Sequence, residues 1–114
     1  MKIDLPWPPK ELSPNARVHW RTSAQKRAAY KESCFWLTKQ ASAGWEPRFC
    51  DIPLTVTFVQ PDMRKRDVDN MLASIKSALD GVATALGVND RQFRPLTVDW
   101  KRGGKPGLVV VEIA

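Results

Sequence analysis

The chain has 114 residues, with 18 Lys or Arg against 12 Asp or Glu and a formal net charge of +6. By size scaling, a chain this long buries roughly two-thirds of the surface its unfolded form exposes, which supports one core and excludes several domains. Its 43% hydrophobic content and five Trp exclude a disordered chain, and its uncharged apolar runs, near Leu54–Val59 and Gly107–Val111, fall far short of the roughly 18–20 residues that span a bilayer.

At the N-terminus, Met1-Lys2-Ile3-Asp4-Leu5-Pro6 puts an acid and a proline where a signal peptide needs an apolar stretch, so a cytoplasmic location is expected. Cys34 and Cys50 have no CxxC spacing and are expected to be free thiols. A single His, His19, argues against a Cys/His zinc site, and no motif supports a Ser or Cys nucleophile working with it.

Alternation at Ile3, Leu5 and Trp7 predicts a first strand, closed by Pro6, Pro8 and Pro9 and therefore at a sheet edge. Residues 8–22 read as a long irregular, basic loop, a feature that often carries function. From Ser23 as N-cap, Tyr30, Cys34, Leu37 and Ala41 recur at helical spacing to about Ala43, and Gly44 stops the helix. Pro53–Gln60 alternates as a second strand, and Pro61–Arg66 leads into a second helix from Asp67 or Val68 to Leu86, ended by Gly87. After a turn at Val88–Arg91, Leu96, Val98 and Trp100 alternate, and Gly103–Gly107 turns into Leu108–Ile113, which reads as a hairpin. The order β-α-β-α-β-β predicts a single α+β (mixed α/β) domain: a mixed sheet of about four strands with two main helices packed on it.

The chemistry concentrates in Arg64-Lys65-Arg66-Asp67-Val68-Asp69-Asn70. Two carboxylates one residue apart, where a loop enters a helix, can face the same small volume and repel there, unless neighbouring cations, a shared proton or a divalent metal relieve them. Magnesium suits this, since it takes oxygen ligands and often only a few carboxylates, leaving the rest of its shell to water or phosphate. Asp90, in the turn after the helix, is a candidate third carboxylate whose proximity spacing alone does not settle. The plainer use of Asp67 and Asp69 is capping and a favourable helix dipole, about 0.3–1 kcal/mol. At 100° per residue, Lys76 and Asp80 fall within about 20° of Asp69 on either side, on one stripe beside the core face of Met71, Ile75, Leu79, Val82 and Leu86. Lys76 then either points toward the helix N-terminus, where a phosphate would sit, or pairs with Asp80 as an exposed i,i+4 ion pair.

Arg66-Asp67-Val68-Asp69-Asn70, Lys76, Leu79-Asp80-Gly81 and Asn89-Asp90, together with Leu5-Pro6-Trp7-Pro8-Pro9, Pro14-Asn15 and Tyr30, resemble the RusA family of Holliday junction resolvases over most of the chain. The resemblance implies a homodimeric, magnesium-dependent endonuclease, with manganese as a substitute metal, that nicks opposed strands of a four-way DNA junction in recombination and repair and is often encoded by phages or prophages. It also implies that Asp67, Asp69 and Asp90 are metal carboxylates, that Lys76 is the catalytic lysine, and that cleavage leaves a 5′-phosphate and a 3′-hydroxyl. Two departures stand out. Lys76 follows the second Asp by seven residues where better-known members place the lysine four after, and Asn89-Asp90 stands where the family often has two consecutive Asp.

Such a metal would lower the pKa of a bound water, Lys76 would stabilise charge developing on the phosphate, and Arg66 would hold the phosphate or balance the carboxylates. Lys10, Arg17, Arg21, Arg64, Lys65 and Arg66 are the expected DNA-phosphate contacts. Trp20 is a candidate to stack on an unpaired base, with loop packing as its plainer role. The stripe Ala73, Ser74, Ser77, Ala78 and Ala85 suits close packing, including against a second subunit. The competing expectation is a non-catalytic basic module for branched or single-stranded nucleic acid, which accounts for the basic pI but not for acids set inside the basic run.

Overall fold

The computed structural model describes residues 1–113 as an α+β domain, as the sequence predicts. Its order is β1 (Lys2–Pro6), α1 (Trp20–Ala41), β2 (Leu54–Gln60), α2 (Val68–Ser74), α3 (Lys76–Leu86), β3 (Leu96–Arg102) and β4 (Leu108–Ile113), with 3-10 turns at Lys10–Leu12 and Asp90–Gln92. The four strands form one mixed sheet in the order β1-β4-β2-β3, with β1 at an edge.

The core follows from strand alternation. Leu5, Val109 and Phe58 align across the sheet, as do Ile3, Val111 and Val56, and all six are buried. This row packs under the helical layer through Tyr30, Cys34, Met71, Ile75, Val82 and Leu86. The Tyr30 hydroxyl ties α1 to the sheet, donating to the Pro6 carbonyl at 2.6 Å, and after α1 the Trp45 indole Nε1–H donates to the Leu86 carbonyl at 3.0 Å, satisfying an acceptor the end of α3 leaves open. Gly87, at φ 67°, terminates α3 in the left-handed conformation.

Four local expectations need correction. First, α1 begins at Trp20 rather than after Ser23. His19 is the cap residue, its Nδ1 accepting from the Arg21 N–H at 3.2 Å, while the Ser23 hydroxyl accepts from Arg27 at 2.6 Å. On the inner face of α1 the third buried position is Thr38, not Ala41. The Thr38 hydroxyl donates to the Cys34 carbonyl at 2.7 Å, which removes the cost of burying it.

Second, the long second helix is two helices. Ile75 sits at φ −106°, ψ 13° between α2 and α3. The Ser74 hydroxyl donates to the Asn70 carbonyl at 2.9 Å, a bond that competes with helical continuation, and the Ile75 N–H turns to the Leu72 carbonyl three residues back. Third, β3 and β4 are not a hairpin. β3 pairs parallel with β2, and β4 pairs antiparallel with β2 on its other side and with β1. The glycine turn crosses the end of β2, where the Gly103 N–H donates to the Gln60 carbonyl at 3.0 Å and a Cβ on Gly103 would lie 2.5 Å from the Val59 side chain. Fourth, part of the small-residue stripe is taken up within the chain. Ala78 and Ala85 are buried, and Gly81 lies so close to α1 that an added Cβ would stand 2.5 Å from the Lys31 carbonyl oxygen.

Candidate functional site

A cleft of about 660 Å³ opens between the Trp7–Val18 segment and the connection into α2. Its first wall is fixed by Pro8 and Pro9, which hold the chain extended before the Lys10–Leu12 turn. Lys10 and Glu11 lie on this wall, Arg64, Lys65, Arg66, Asp67 and Asn70 on the other, with Met71 and Ser74 between.

Arg66 holds the second wall in place. Its guanidinium donates to both carboxylate oxygens of Asp62, at 2.8 and 3.2 Å, and to the Gln60 side-chain oxygen at 3.1 Å. It also lies 5.2 Å from the centre of the Trp7 ring, joining the two walls through a cation–π contact. Asp62 further accepts from the Arg64 N–H at 3.0 Å. Arg66, above all, holds the Asp62 carboxyl down at about 2. Arg66 is thus a bracing residue whose charge is balanced by Asp62, an acid four residues upstream and outside the D-x-D-N run.

The predicted acids do not form one cluster. Asp67 occupies the N-cap position of α2 without a side-chain capping bond and lines the cleft beside Asn70. Asp69 is exposed on the first turn of the same helix. Asp90 opens the second 3-10 turn, within hydrogen-bonding reach of Asp80. Among the described residues, no group of three or more His, Cys, Asp or Glu side chains gathers as a metal-binding cluster. Burial and then the Asp90 carboxyl raise the pKa of Asp80, while Lys31 and Lys76 pull it back. Lys76 starts α3 beyond the break at Ile75, so it belongs electrostatically with Asp80, Asp90 and Lys31. Asn89 has a defined role: its side chain accepts from the Arg91 N–H at 2.9 Å while Gln92 Oε1 accepts from the Asn89 N–H at 2.9 Å, a reciprocal cap on the Asp90 turn.

Of the predicted DNA contacts, Lys10, Arg64 and Lys65 are exposed in the cleft, and Arg17 and Arg21 are exposed beside it. Glu11 is a cleft residue that the sequence does not announce. Its Oε2 is shielded from solvent in the cleft wall and has no hydrogen-bond partner, and nothing in a lone Glu after Lys10 signals that placement. No helix of the described residues is long and apolar enough to cross a membrane.

No protein-family model matches the chain. A protein of Xylella fastidiosa strain Temecula1, described only as an uncharacterized protein, is 42% identical over 120 residues, covering 97% of this chain and 74% of that protein. Identity at that level along nearly the whole chain places it, cleft and α2 connection included, in the same family as this Xylella fastidiosa protein.

Proposed function

We propose that the chain is a magnesium-dependent endodeoxyribonuclease acting on four-way junctions and related branched DNA, working as a homodimer whose two clefts meet two strands. The supporting observation is that one cleft sets Asp67 and Asn70 of the D-x-D-N run opposite Lys10 and beside Arg64 and Lys65. A purely phosphate-binding groove gains nothing from an acid there, because the acid repels the ligand. The donors fit magnesium in part. Asp67 and Asp69, two residues apart at the start of α2, would hold it, with the remaining positions left to water and phosphate oxygen; Asp90 stands instead with Asp80. When bound, magnesium supplies a Lewis acid and a more acidic water. The chain's own part is to grip the backbone through Lys10, Arg64 and Lys65, on a wall fixed by the Arg66–Asp62 brace and joined to the other through the Arg66–Trp7 contact.

One observation favours the second reading, a non-catalytic module for branched DNA: Asp67, Asp69 and Asp90 do not gather among the described residues. The test is wild type and Asp69→Asn on synthetic four-way, forked and linear DNA with magnesium. The nuclease reading expects wild type to nick the branched substrates, and the variant to bind them within a few-fold of wild type without cutting. Wild type that binds but never cuts identifies the binding module. Sedimentation at micromolar concentration checks the dimer, and a monomer there refutes paired nicking.

A further inference from the structure

Trp20 is 66% exposed and belongs neither to the core nor to the side chains packed against it. It is the first residue of α1, held beside a cap that orients its neighbours. The His19 ring stacks on the Trp20 ring, with centroids 5.7 Å apart and planes 29° apart, and the Arg21 guanidinium lies 5.3 Å from the indole centre. Two residues earlier, Val18 lines the cleft, so the start of α1 that carries the stack adjoins the cleft along the chain. The chain segment that carries it is of one sign: residues 12–31 hold Arg17, Arg21, Lys26, Arg27 and Lys31 and no Asp or Glu. The other two exposed Trp, Trp36 and Trp100, adjoin no cleft residue in sequence.

We infer that Trp20, backed by His19 and flanked by Arg21, is a stacking platform for an unpaired DNA base, adjoining the cleft along the chain. This rests on the nucleic-acid reading above and goes beyond it by naming which part of a branched substrate is recognised. A base has a flat π-face and its phosphate a negative charge, and the site offers an indole face and a cation side by side. A base entering the stack displaces the Arg21 side chain and frees its guanidinium for the adjoining phosphate, while Lys10, Arg64 and Lys65 hold the strand further in. A fully paired duplex keeps its bases stacked inside and cannot use the platform, so the site favours branch points and single strands.

The test is fluorescence anisotropy without magnesium, using single-stranded DNA, a fork with unpaired arms and a fully paired linear duplex, for wild type, Trp20→Ala and Trp20→Phe. Stacking of this kind predicts that Trp20→Ala weakens single-strand and fork binding about 5- to 100-fold, that Trp20→Phe recovers most of it, and that duplex binding changes less than about 2-fold. Circular dichroism melts establish that the variants fold. Equal affinity of Trp20→Ala and wild type for every DNA, or an equal loss on all three, overturns the platform while leaving the nucleic-acid reading standing. Wild type that binds no DNA overturns that reading and the platform with it.

Discussion

The Asp80 carboxyl of α3 reaches the Asp90 carboxyl at the start of the next turn, with Lys31 and Lys76 close enough to offset part of their repulsion. Because the pKa of Asp80 is raised in the fold, its stabilising contribution is present below the ordinary carboxylate pKa and is lost as pH rises through the raised value. Asp80→Asn in chelator-containing buffer should therefore be at least as stable as wild type at pH 7, by less than about 1 kcal/mol given the partial exposure, with the difference shrinking toward pH 3. Urea midpoints at the two pH values decide this. A variant clearly weaker at pH 7 would mean that attraction to Lys31 and Lys76 outweighs repulsion from Asp90.

The Arg66–Asp62 brace has the opposite pH sign. Asp62 titrates at about 2, below its usual 3.8, so its contribution is present above the usual value and disappears as pH falls through that window. Asp62→Asn should lower the melting temperature at pH 7, and the gap from wild type should close near pH 2. A gap independent of pH would refute the charge-based account.

Arg66 and its neighbours in the basic run should separate in mutagenesis. Arg66→Ala removes the hydrogen bonds to Asp62 and Gln60 and the cation–π contact with the Trp7 ring and should cost about 1–3 kcal/mol of stability in chemical denaturation. Arg64→Ala and Lys65→Ala remove exposed charges and should leave stability within about 0.5 kcal/mol.

On DNA, Arg64→Ala and Lys65→Ala should each reduce the slope of log affinity against log salt by about 0.9 for duplex arms, the change expected when one fewer phosphate is neutralised. Binding titrations from low to moderate salt measure this, and an unchanged slope would place these side chains outside the interface.

Gly81→Ala weighs two effects against each other. Alanine gains about 1 kcal/mol of helix propensity, but its Cβ would stand 2.5 Å from the Lys31 carbonyl and 3.3 Å from the Phe35 backbone nitrogen. Neither helix backbone can yield cheaply, so net destabilisation of about 1–3 kcal/mol is expected in urea unfolding.

Much of the fold was legible in the sequence because it depends on local periodicity. Ile3 and Leu5, Leu54 to Phe58, and the stop at Gly87 carry their own signals, whereas α1 ends at Ala41, before Gly44. The helix break escaped because Ile75 fits an unbroken apolar stripe and Ser74 an unbroken stripe of small residues, and only the bond from Ser74 to the Asn70 carbonyl diverts the ladder. The apparent hairpin misled because alternation and a glycine turn specify two strands and a reversal, and say nothing about whether a third strand lies between them.

The sequence by itself determined the element types, the one-domain scale and the mixture of acids and bases at the entry to α2, since these follow from composition and short-range spacing. Tertiary structure alone decided partnership. It set Arg66 on Trp7, gathered Asp90 with Asp80, and left Trp20 in solvent. Such pairings depend on how the fold brings distant segments of the chain together. A charge at a given position in the chain carries no record of which other charge the fold will bring to it.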